Sequence, residues 1–249
     1  MEPSAARPAA STAQQNLYLR LAPPRMLDAL LEESQIVELD RGAGGVFSEG
    51  DGFAYFPLDC VLVAERALPD GKSAFIRFFG PRNLVGVRDR TPLRDLDIGY
   101  RVVGAGRALR APVERFWGLF ERVPAHKQAM DMLLAVWTRI AIANGACTAA
   151  HPVTQRLVRI LLQARDAFGD GRPITLTHAD LGGFLAVRRE TVTEILGELA
   201  AEGCVEGGRG AVSILDAARL AARGCACYAE GVAAEKEVLA SLVRIVEQA

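Results

Sequence analysis

The chain has 249 residues, of which 50% are hydrophobic and 24% charged, so it is long enough to bury one large or two ordinary cores. Its 29 basic and 30 acidic residues give a formal net charge of −1, which excludes a strongly basic nucleic-acid coat or a histone-like tail. Any binding of nucleic acid is therefore expected to be confined to one local surface.

Three features of the sequence indicate a cytoplasmic protein. Residues 1–16 are rich in Ala, Pro and Ser and have no apolar core, so we expect a disordered lead-in and not a signal peptide. The most apolar later stretch, residues 129–143, is interrupted by Asp131 and Arg139 and is too short for a membrane span. Five cysteines are an odd number and accompany no export signal, which favours reduced thiols over a disulfide framework.

Residues 35–113 alternate short β-prone runs with turn residues. The runs are 36–39, 54–56, 61–64, 74–79 and 100–103. A turn at Asp70-Gly71 between two of these runs indicates a hairpin. Several strands at this spacing predict an antiparallel sandwich or barrel, bracketed by helices at 24–33 and 113–122.

Residues 124–147 contain no internal proline and predict one long helix, about 36 Å at a rise of about 1.5 Å per residue. Apolar residues recur in it at steps of three and four, which places them on one face. That face consists of Met130, Leu133, Leu134, Trp137, Ile140, Ala141 and Asn144. We predict that it is the seam of a dimer, with packing inside the same chain as the alternative. His151-Pro152 then predicts a hinge, because the residue before proline avoids helical geometry.

The C-terminal part of the chain predicts two short helices joined by a tight turn and followed by a hairpin. The predicted elements are a helix at 153–168, short helices at 179–184 and 189–202, a hairpin at 204–215, a short helix from residue 216 and an amphipathic helix at 230–246. Thr177 and Asp180 form a capping box at the start of the first short helix. This arrangement is a winged helix-turn-helix, whose second helix can lie in the DNA major groove.

Polar side chains on and around the second short helix predict a DNA-binding face. Arg189 can donate to guanine and Glu190 can accept from cytosine, so these neighbours are predicted to read bases. Thr177, Thr191 and Arg209, the last at the hairpin tip, are predicted to hold phosphates. The complete predicted face comprises Thr177, Arg188, Arg189, Glu190, Thr191, Thr193, Glu194 and Arg209. Residues 151–225 contain nine arginines and nine acidic residues, so binding would depend on a basic face rather than on net charge.

Residues 177–196 are close to the helix-turn-helix signature of the Crp/Fnr superfamily of bacterial transcription regulators. The resemblance rests on Asp180-Leu181-Gly182 and Arg189-Glu190-Thr191-Val192. It extends over nearly the whole chain, because further motifs are similar to the β-roll and the ending of one subgroup of these regulators. Those motifs are Tyr55-Phe56-Pro57, Asp70-Gly71, Leu84-Val85-Gly86-Val87 and Cys225-Ala226-Cys227-Tyr228.

This resemblance implies an α+β fold with an N-terminal antiparallel β-roll of the cyclic-nucleotide-binding type, a long dimerisation helix and a C-terminal winged helix-turn-helix. The corresponding divisions are a lead-in over 1–16, the β-roll over 17–123, the long helix over 124–150, the DNA-binding domain over 151–225 and a C-terminal helix over 226–249. It also implies a homodimer that binds a two-fold related site on double-stranded DNA, with RNA polymerase and a small-molecule effector as further partners. No cofactor is expected.

Two departures from the family pattern bear on the effector and on the DNA sequence. Members that bind cyclic AMP carry a Gly-Glu pair and an Arg-Ala pair, whereas this chain has Gly86-Val87-Arg88 and Tyr100-Arg101-Val102. We therefore expect an effector other than cyclic AMP, because its phosphate would lack the arginine that holds it. The predicted pocket consists of Leu84, Val85, Gly86, Val87 and Arg88. Glu194 stands where the family often has a base-reading arginine, so a different DNA sequence is expected.

Other functions fit the sequence less well. An enzyme built on the β-roll would need clustered histidines, and residues 1–125 contain none. A metal site that joins Cys225 and Cys227 to Cys204 and a histidine is a weaker hypothesis than inert thiols, because the chain has no Cys-x-x-Cys pair. The alternative to a DNA-binding regulator is a ligand- or redox-sensing β-roll module without direct DNA function.

Overall fold

The computed structural model describes residues 8–42, 47–48, 52–71, 73–87 and 98–247. Its helices are α1 (Ala10–Ala13), α2 (Leu17–Leu21), α3 (Pro24–Leu31), α4 (Val113–Phe120), α5 (Pro124–Ala150), α6 (Val153–Phe168), α7 (His178–Leu185), α8 (Arg189–Ala201), α9 (Ala217–Ala222) and α10 (Cys227–Glu247). Its strands are β1 (Gln35–Leu39), β2 (Phe47–Ser48), β3 (Phe53–Pro57), β4 (Val61–Ala67), β5 (Ser73–Phe79), β6 (Ile98–Gly104), β7 (Gly106–Pro112), β8 (Val205–Gly208) and β9 (Ala211–Ile214). The predicted α+β class is confirmed.

Two antiparallel sheets form the predicted N-terminal β-roll. One sheet has the strand order β1-β7-β3 and the other has the order β2-β6-β4-β5. Phe56, Leu62 and Leu109 are fully buried in its core. The predicted turn between β4 and β5 is present, and Gly71 adopts there a φ of +80°, which favours glycine.

Strand β7 was not predicted, because two arginines interrupt its apolar pattern. It nevertheless lies at the centre of its sheet and pairs with both β1 and β3. Arg107 extends to Asp59, with Nη2 2.6 Å from the carboxylate oxygen Oδ2. The guanidinium of Arg110 lies 4.4 Å from the ring centroid of Phe53. The long arginine stems therefore cover strand surface while their charged ends find partners, so arginine does not mark the end of a strand here.

Residues 10–16 form structure, which differs from the disordered lead-in expected for residues 1–16. Asn16 is fully buried, and its amide donates to the carbonyl oxygens of Pro57 and Asn83 at 2.9 and 2.8 Å. Its side-chain oxygen accepts from the backbone N–H of Tyr18 and so caps the start of α2. Hydrogen bonds of a buried asparagine produce no hydrophobic periodicity in the sequence, so the ordered structure of this segment was not predicted. Residues 1–7 lie outside the described part.

The apolar stripe of α5 faces the interior of its own chain. Met130 and Leu133 are buried in a core that includes Phe116 of α4, and α10 packs against this core through Val238 and Leu239. The other five residues of the stripe are buried or half-buried, namely Leu134, Trp137, Ile140, Ala141 and Asn144. This differs from the predicted dimer seam and agrees with the alternative of packing inside the same chain, because the β-roll and α10 already cover the stripe.

The opposite face of α5 is open. Met130–Ala150 is the segment of the described chain that is long and apolar enough to cross a membrane by length and composition, and 28% of its most apolar window is buried. Core helices of water-soluble proteins can meet the same criterion. The helix is longer than the apolar stretch found in the sequence, because small residues continue it to Ala150. The uncovered face includes Ile142, which is 67% exposed.

The C-terminal elements α6, α7, α8 and the hairpin of β8 and β9 form the predicted winged helix-turn-helix. Val192, Ile195, Leu196 and Leu199 of α8 are buried in its core, as their spacing predicts. Helix α6 has the predicted bounds, and α10 begins shortly before the predicted amphipathic helix. This fold sets α8 on a packed base and leaves its other side to solvent.

Candidate nucleic-acid interface

Helix α8 presents the predicted polar face to solvent. The exposed members are Arg188, Arg189, Glu190, Thr193 and Glu194, and Thr191 is half-buried. Within the described part of the chain neither Arg188 nor Arg189 forms an ion pair. Both guanidinium groups are therefore free to donate to a ligand, and no other segment of the described chain covers them.

The turn between α7 and α8 sets where the exposed face begins. Helix α7 ends at Leu185, and its C-cap residue Ala186 has a left-handed φ of +54°. The N–H of Val187 donates back to the carbonyl of Gly182 at 3.0 Å. A Cβ on Gly182 would lie 3.0 Å from the carbonyl oxygen of Val187, so the small residue permits this close approach. Arg188 then has extended geometry and Arg189 starts α8.

The predicted capping box at α7 is present and occupies the hydroxyl of Thr177. That hydroxyl donates to Oδ2 of Asp180 at 2.7 Å and accepts from the N–H of Asp180 at 3.0 Å. A phosphate contact by the Thr177 hydroxyl would have to replace the first of these bonds. Its predicted phosphate role stays a prediction.

The tip of the hairpin lies beside the start of α7. Arg209 is exposed in the turn between β8 and β9. A Cβ on the next residue, Gly210, would lie 3.9 Å from Cγ2 of Thr177. The two predicted phosphate contacts, Arg209 and Thr177, are therefore neighbours in space although 32 positions separate them in the sequence.

His178 is a residue of this surface that the sequence reasoning missed. Its Nδ1 lies 2.8 Å from the hydroxyl of Thr193, which itself lies 3.1 Å from the carbonyl of Arg189. Since the hydroxyl donates to that carbonyl, it accepts from an N–H at Nδ1 of His178. The contact ties the first turn of α7 to the exposed face of α8. The one sequence signal for this residue is its position directly after Thr177, the capping residue of α7.

Asp180 joins the winged helix to the β-roll. Its carboxylate lies 2.7 Å from Nη2 of Arg41 and 3.0 Å from Nη1 of Arg101. Arg101 also pairs with Glu65 at 2.9 Å. Burial raises the pKa of the Asp180 carboxyl, but hydrogen bonds from Thr177 and Arg101 outweigh it and hold this pKa below the usual range. None of these interdomain pairs was predicted from the sequence.

Aromatic side chains complete the contact between the two domains. Phe184 of α7 packs on Phe75 and Phe78 of β5, with ring centroids 5.0 and 5.7 Å apart. A Cβ on Gly80 would lie 2.4 Å from the carbonyl oxygen of Ala167 at the end of α6, so only glycine fits there. The winged helix therefore rests directly on the β-roll.

The predicted effector residues form part of the wall of the β-roll. Leu84, Val85 and Val87 are buried. A Cβ on Gly86, which has a φ of +81°, would lie 2.2 Å from the carbonyl oxygen of Phe53. Arg88 lies outside the described residues. A cavity of about 310 Å³ lies elsewhere, where β5, α6 and α10 meet, and its lining includes Arg77, Arg82, Arg165 and Lys236.

The structure changes the cysteine grouping that the sequence suggested. Cys204 is fully buried in the core of the winged helix and does not belong to the group that contains Cys225 and Cys227. Cys147 and His151 approach these two cysteines instead. Cys147 and Cys225 are 78 positions apart, so no spacing motif relates them.

Comparison with known proteins identifies the C-terminal domain and the fold. Residues 155–223 match the family model described as the Crp-like helix-turn-helix domain. No curated protein matches the sequence. A structure described as a transcriptional regulator of the Crp/Fnr family from Eubacterium rectale ATCC 33656 has a TM-score of 0.65 at 14% identity, and the match covers 84% of this chain and 98% of that chain.

Two further solved structures have the same fold. FixK2 from Bradyrhizobium japonicum has a TM-score of 0.63 at 14% identity, and the match covers 77% of this chain and 98% of that chain. The c-di-GMP-responsive global regulator CLP from Xanthomonas campestris has a TM-score of 0.56 at 17% identity, with 78% of this chain and 100% of that chain covered. These names describe regulators and not enzymes. The β-roll, long helix and winged helix-turn-helix predicted from the sequence are confirmed.

Proposed function

We propose that this protein, whose residues 155–223 are a Crp-like helix-turn-helix domain within the fold of the Crp/Fnr regulators, controls transcription as a homodimer on a two-fold related DNA site. The observation that carries the proposal is the uncovered face of α8, where Arg188 and Arg189 are exposed and have no ion-pair partner in the described part of the chain. A helix of this kind fits the major groove. A cytoplasmic location follows from the proposal, since its DNA partner is there.

The side chains around α8 divide into two roles. Arg189 and Glu190, at the start of the helix, are suited to guanine and cytosine edges. Arg209 on the hairpin tip, with Thr177 and Thr191, is suited to phosphates, which fix the position of the helix without reading sequence. Glu194 lies on the same exposed face and adds an acceptor rather than a donor.

The outer face of α5 supports the dimer. Its exposed residues recur at alternating steps of three and four, the spacing of a helix pair. They are Ala135, Thr138, Ile142, Gly145 and Ala149. Four of the five are small, so a second α5 can approach closely, and Ile142 supplies the large apolar contact. We propose a second copy of this chain as the occupant, because paired helices would place two α8 helices on successive major grooves about 34 Å apart.

The direct test is selection of a binding site from random DNA duplexes by the purified full-length chain, repeated at two salt concentrations. A regulator is expected to select a two-fold related sequence, with affinity that falls as salt rises. If low salt yields no complex, the proposal fails in favour of a β-roll module without direct DNA function.

Replacing Arg189 and Arg209 separates base reading from phosphate contact. Arg189→Ala is expected to weaken binding to the selected site by about 1–3 kcal/mol and to relax the base preference at one base pair of each half-site. Arg209→Ala is expected to weaken binding to all duplexes to a similar degree. It should also reduce the slope of log affinity against log salt concentration by about the amount that one phosphate contact contributes. Fluorescence anisotropy with the selected site and its single-base variants measures both. An Arg189→Ala protein with an unchanged base profile would remove that residue from the reading role.

A small-molecule effector and RNA polymerase belong to the proposal as partners. The cavity of about 310 Å³ at β5, α6 and α10 is the candidate effector site. Its lining has four basic residues against two acidic ones, Asp166 and Glu235, and this excess of positive charge suits an anionic compound. A thermal-shift screen of anionic metabolites tests this, because a ligand that binds the folded state raises the unfolding temperature. An Arg82→Ala variant that responds to a screened compound as the wild type does would argue against the cavity.

A further inference from the structure

Three cysteines and a histidine from distant parts of the chain meet at the hinge between α5 and α6. Cys147 lies in the last turn of α5, and His151 caps that helix. Cys225 and Cys227 lie where α9 leads into α10. One ligand atom from each of the four residues lies within 4.8 Å of all the others.

The separations within this cluster match those of ligands on one metal ion. Sγ of Cys147 lies 3.6 Å from Sγ of Cys225, and Sγ of Cys227 lies 3.6 Å from Nδ1 of His151. Tetrahedral zinc with bonds of about 2.3 Å to sulfur and about 2.0–2.1 Å to nitrogen places sulfurs about 3.8 Å apart and sulfur about 3.6 Å from nitrogen. A disulfide would need about 2.05 Å between the sulfurs. These two separations fit a shared cation, and the remaining ones are within 4.8 Å.

A buried arginine lies beside the cluster. Arg159 of α6 is 2% exposed, and its Nε has no hydrogen-bond partner. Within the described part of the chain no carboxylate pairs with it. Its Nη1 and Nη2 donate to the side-chain oxygens of Asn144 and Thr148, both on α5. A positive charge is therefore buried beside the cluster without a carboxylate among the described residues.

The donor set and its surroundings suit a divalent cation. Three thiolates and one neutral imidazole around a divalent ion would leave one negative charge, opposite in sign to the buried guanidinium of Arg159. Sulfur and nitrogen donors in a tetrahedral arrangement select zinc over magnesium or calcium, which prefer oxygen. With four protein ligands the site is closed, as in structural zinc centres.

We propose that Cys147, His151, Cys225 and Cys227 form a tetrahedral zinc site that fastens the end of α5 to the start of α10. His151 directly precedes Pro152, so the bound ion would hold the hinge from which α6 and the winged helix continue. The site is independent of the DNA contacts of α8, and it would fix the direction in which the winged helix leaves the long helix.

Cobalt is the probe that reports this geometry. The full-length chain is stripped with a chelator in the presence of a phosphine reductant and then titrated with Co²⁺. We expect one ion per chain, the intense ligand-field absorption of tetrahedral cobalt, a thiolate-to-cobalt charge-transfer band, and displacement of cobalt by Zn²⁺. Zinc should also raise the unfolding temperature of the wild type. Failure of the reduced protein to bind cobalt, or an octahedral spectrum, would overturn the proposal.

Variants assign the ligands. The double variant Cys225→Ser, Cys227→Ser should lose both the cobalt spectrum and the zinc-dependent rise in unfolding temperature. Cys204→Ala and Cys60→Ala, which remove buried thiols outside the cluster, should keep both responses. Circular dichroism of each metal-free variant checks that it folds. If air oxidation produces a Cys147–Cys225 disulfide and the reduced wild type takes no metal, the cluster is a redox pair and not a zinc site.

Discussion

A chain in which Ile142 is replaced by glutamate is expected to sediment as a monomer and to bind its DNA site about 10²–10⁴ times more weakly than the wild type. Ile142 lies at the centre of the exposed α5 face and is 67% exposed in the single chain. In a pair of α5 helices a carboxylate there would be buried without a partner. A monomer binds one half-site only, so it loses the affinity that a dimer gains by binding both half-sites at once. Analytical ultracentrifugation and fluorescence anisotropy measure the two effects.

The matched control is Leu215→Glu. Leu215 is the other large hydrophobic side chain that is strongly exposed in the described part of the chain, at 60%, and it lies after β9 rather than on α5. This variant should keep the wild-type oligomeric state. An Ile142→Glu protein that remains dimeric at wild-type concentrations would place the seam on another surface.

The α5 helix shows what hydrophobic spacing determines and what it leaves open. The steps of three and four correctly place Met130, Leu133 and Ile140 on one face, because helical geometry alone decides which side chains share a side. Which elements cover that face depends on the tertiary fold. The β-roll and α10 cover it, and α10 begins nearly eighty residues after α5 ends. The face left for a second chain is built from small residues, which the apolar pattern does not single out.

The winged helix was predicted closely because its determinants are local. The capping box of Thr177 and Asp180 and the spacing of Val192, Ile195 and Leu199 each act within one or two turns. The cysteine cluster and the pairs of Asp180 with Arg41 and Arg101 depend on contacts between distant segments. Charges and thiols carry no periodicity, so only the folded chain shows which of them meet.

Replacing Asp180 by asparagine is expected to lower the free energy of unfolding by about 2–3 kcal/mol at neutral pH, the magnitude of losing charge-assisted hydrogen bonds in a partly buried site. The carboxylate holds Arg41 and Arg101 of the β-roll at 2.7 and 3.0 Å as well as the backbone N–H of Thr177. Asparagine keeps an acceptor for the cap but removes the charge that both guanidinium groups require. Urea denaturation measures the difference.

The same variant should change how stability depends on pH. The folded-state pKa of Asp180 lies below its unfolded value, which is about 3.9, so its contribution is fully present above the unfolded value and is lost as pH falls through the folded one. The difference in the free energy of unfolding between the wild type and Asp180→Asn should therefore be constant near neutral pH and shrink below about pH 4. Asp170→Asn is the control, because Asp170 is 89% exposed in its pair with Arg165, and such pairs contribute at most about 1 kcal/mol. An Asp180→Asn gap that does not shrink in acid would mean that the cap, and not the charge, makes this residue important.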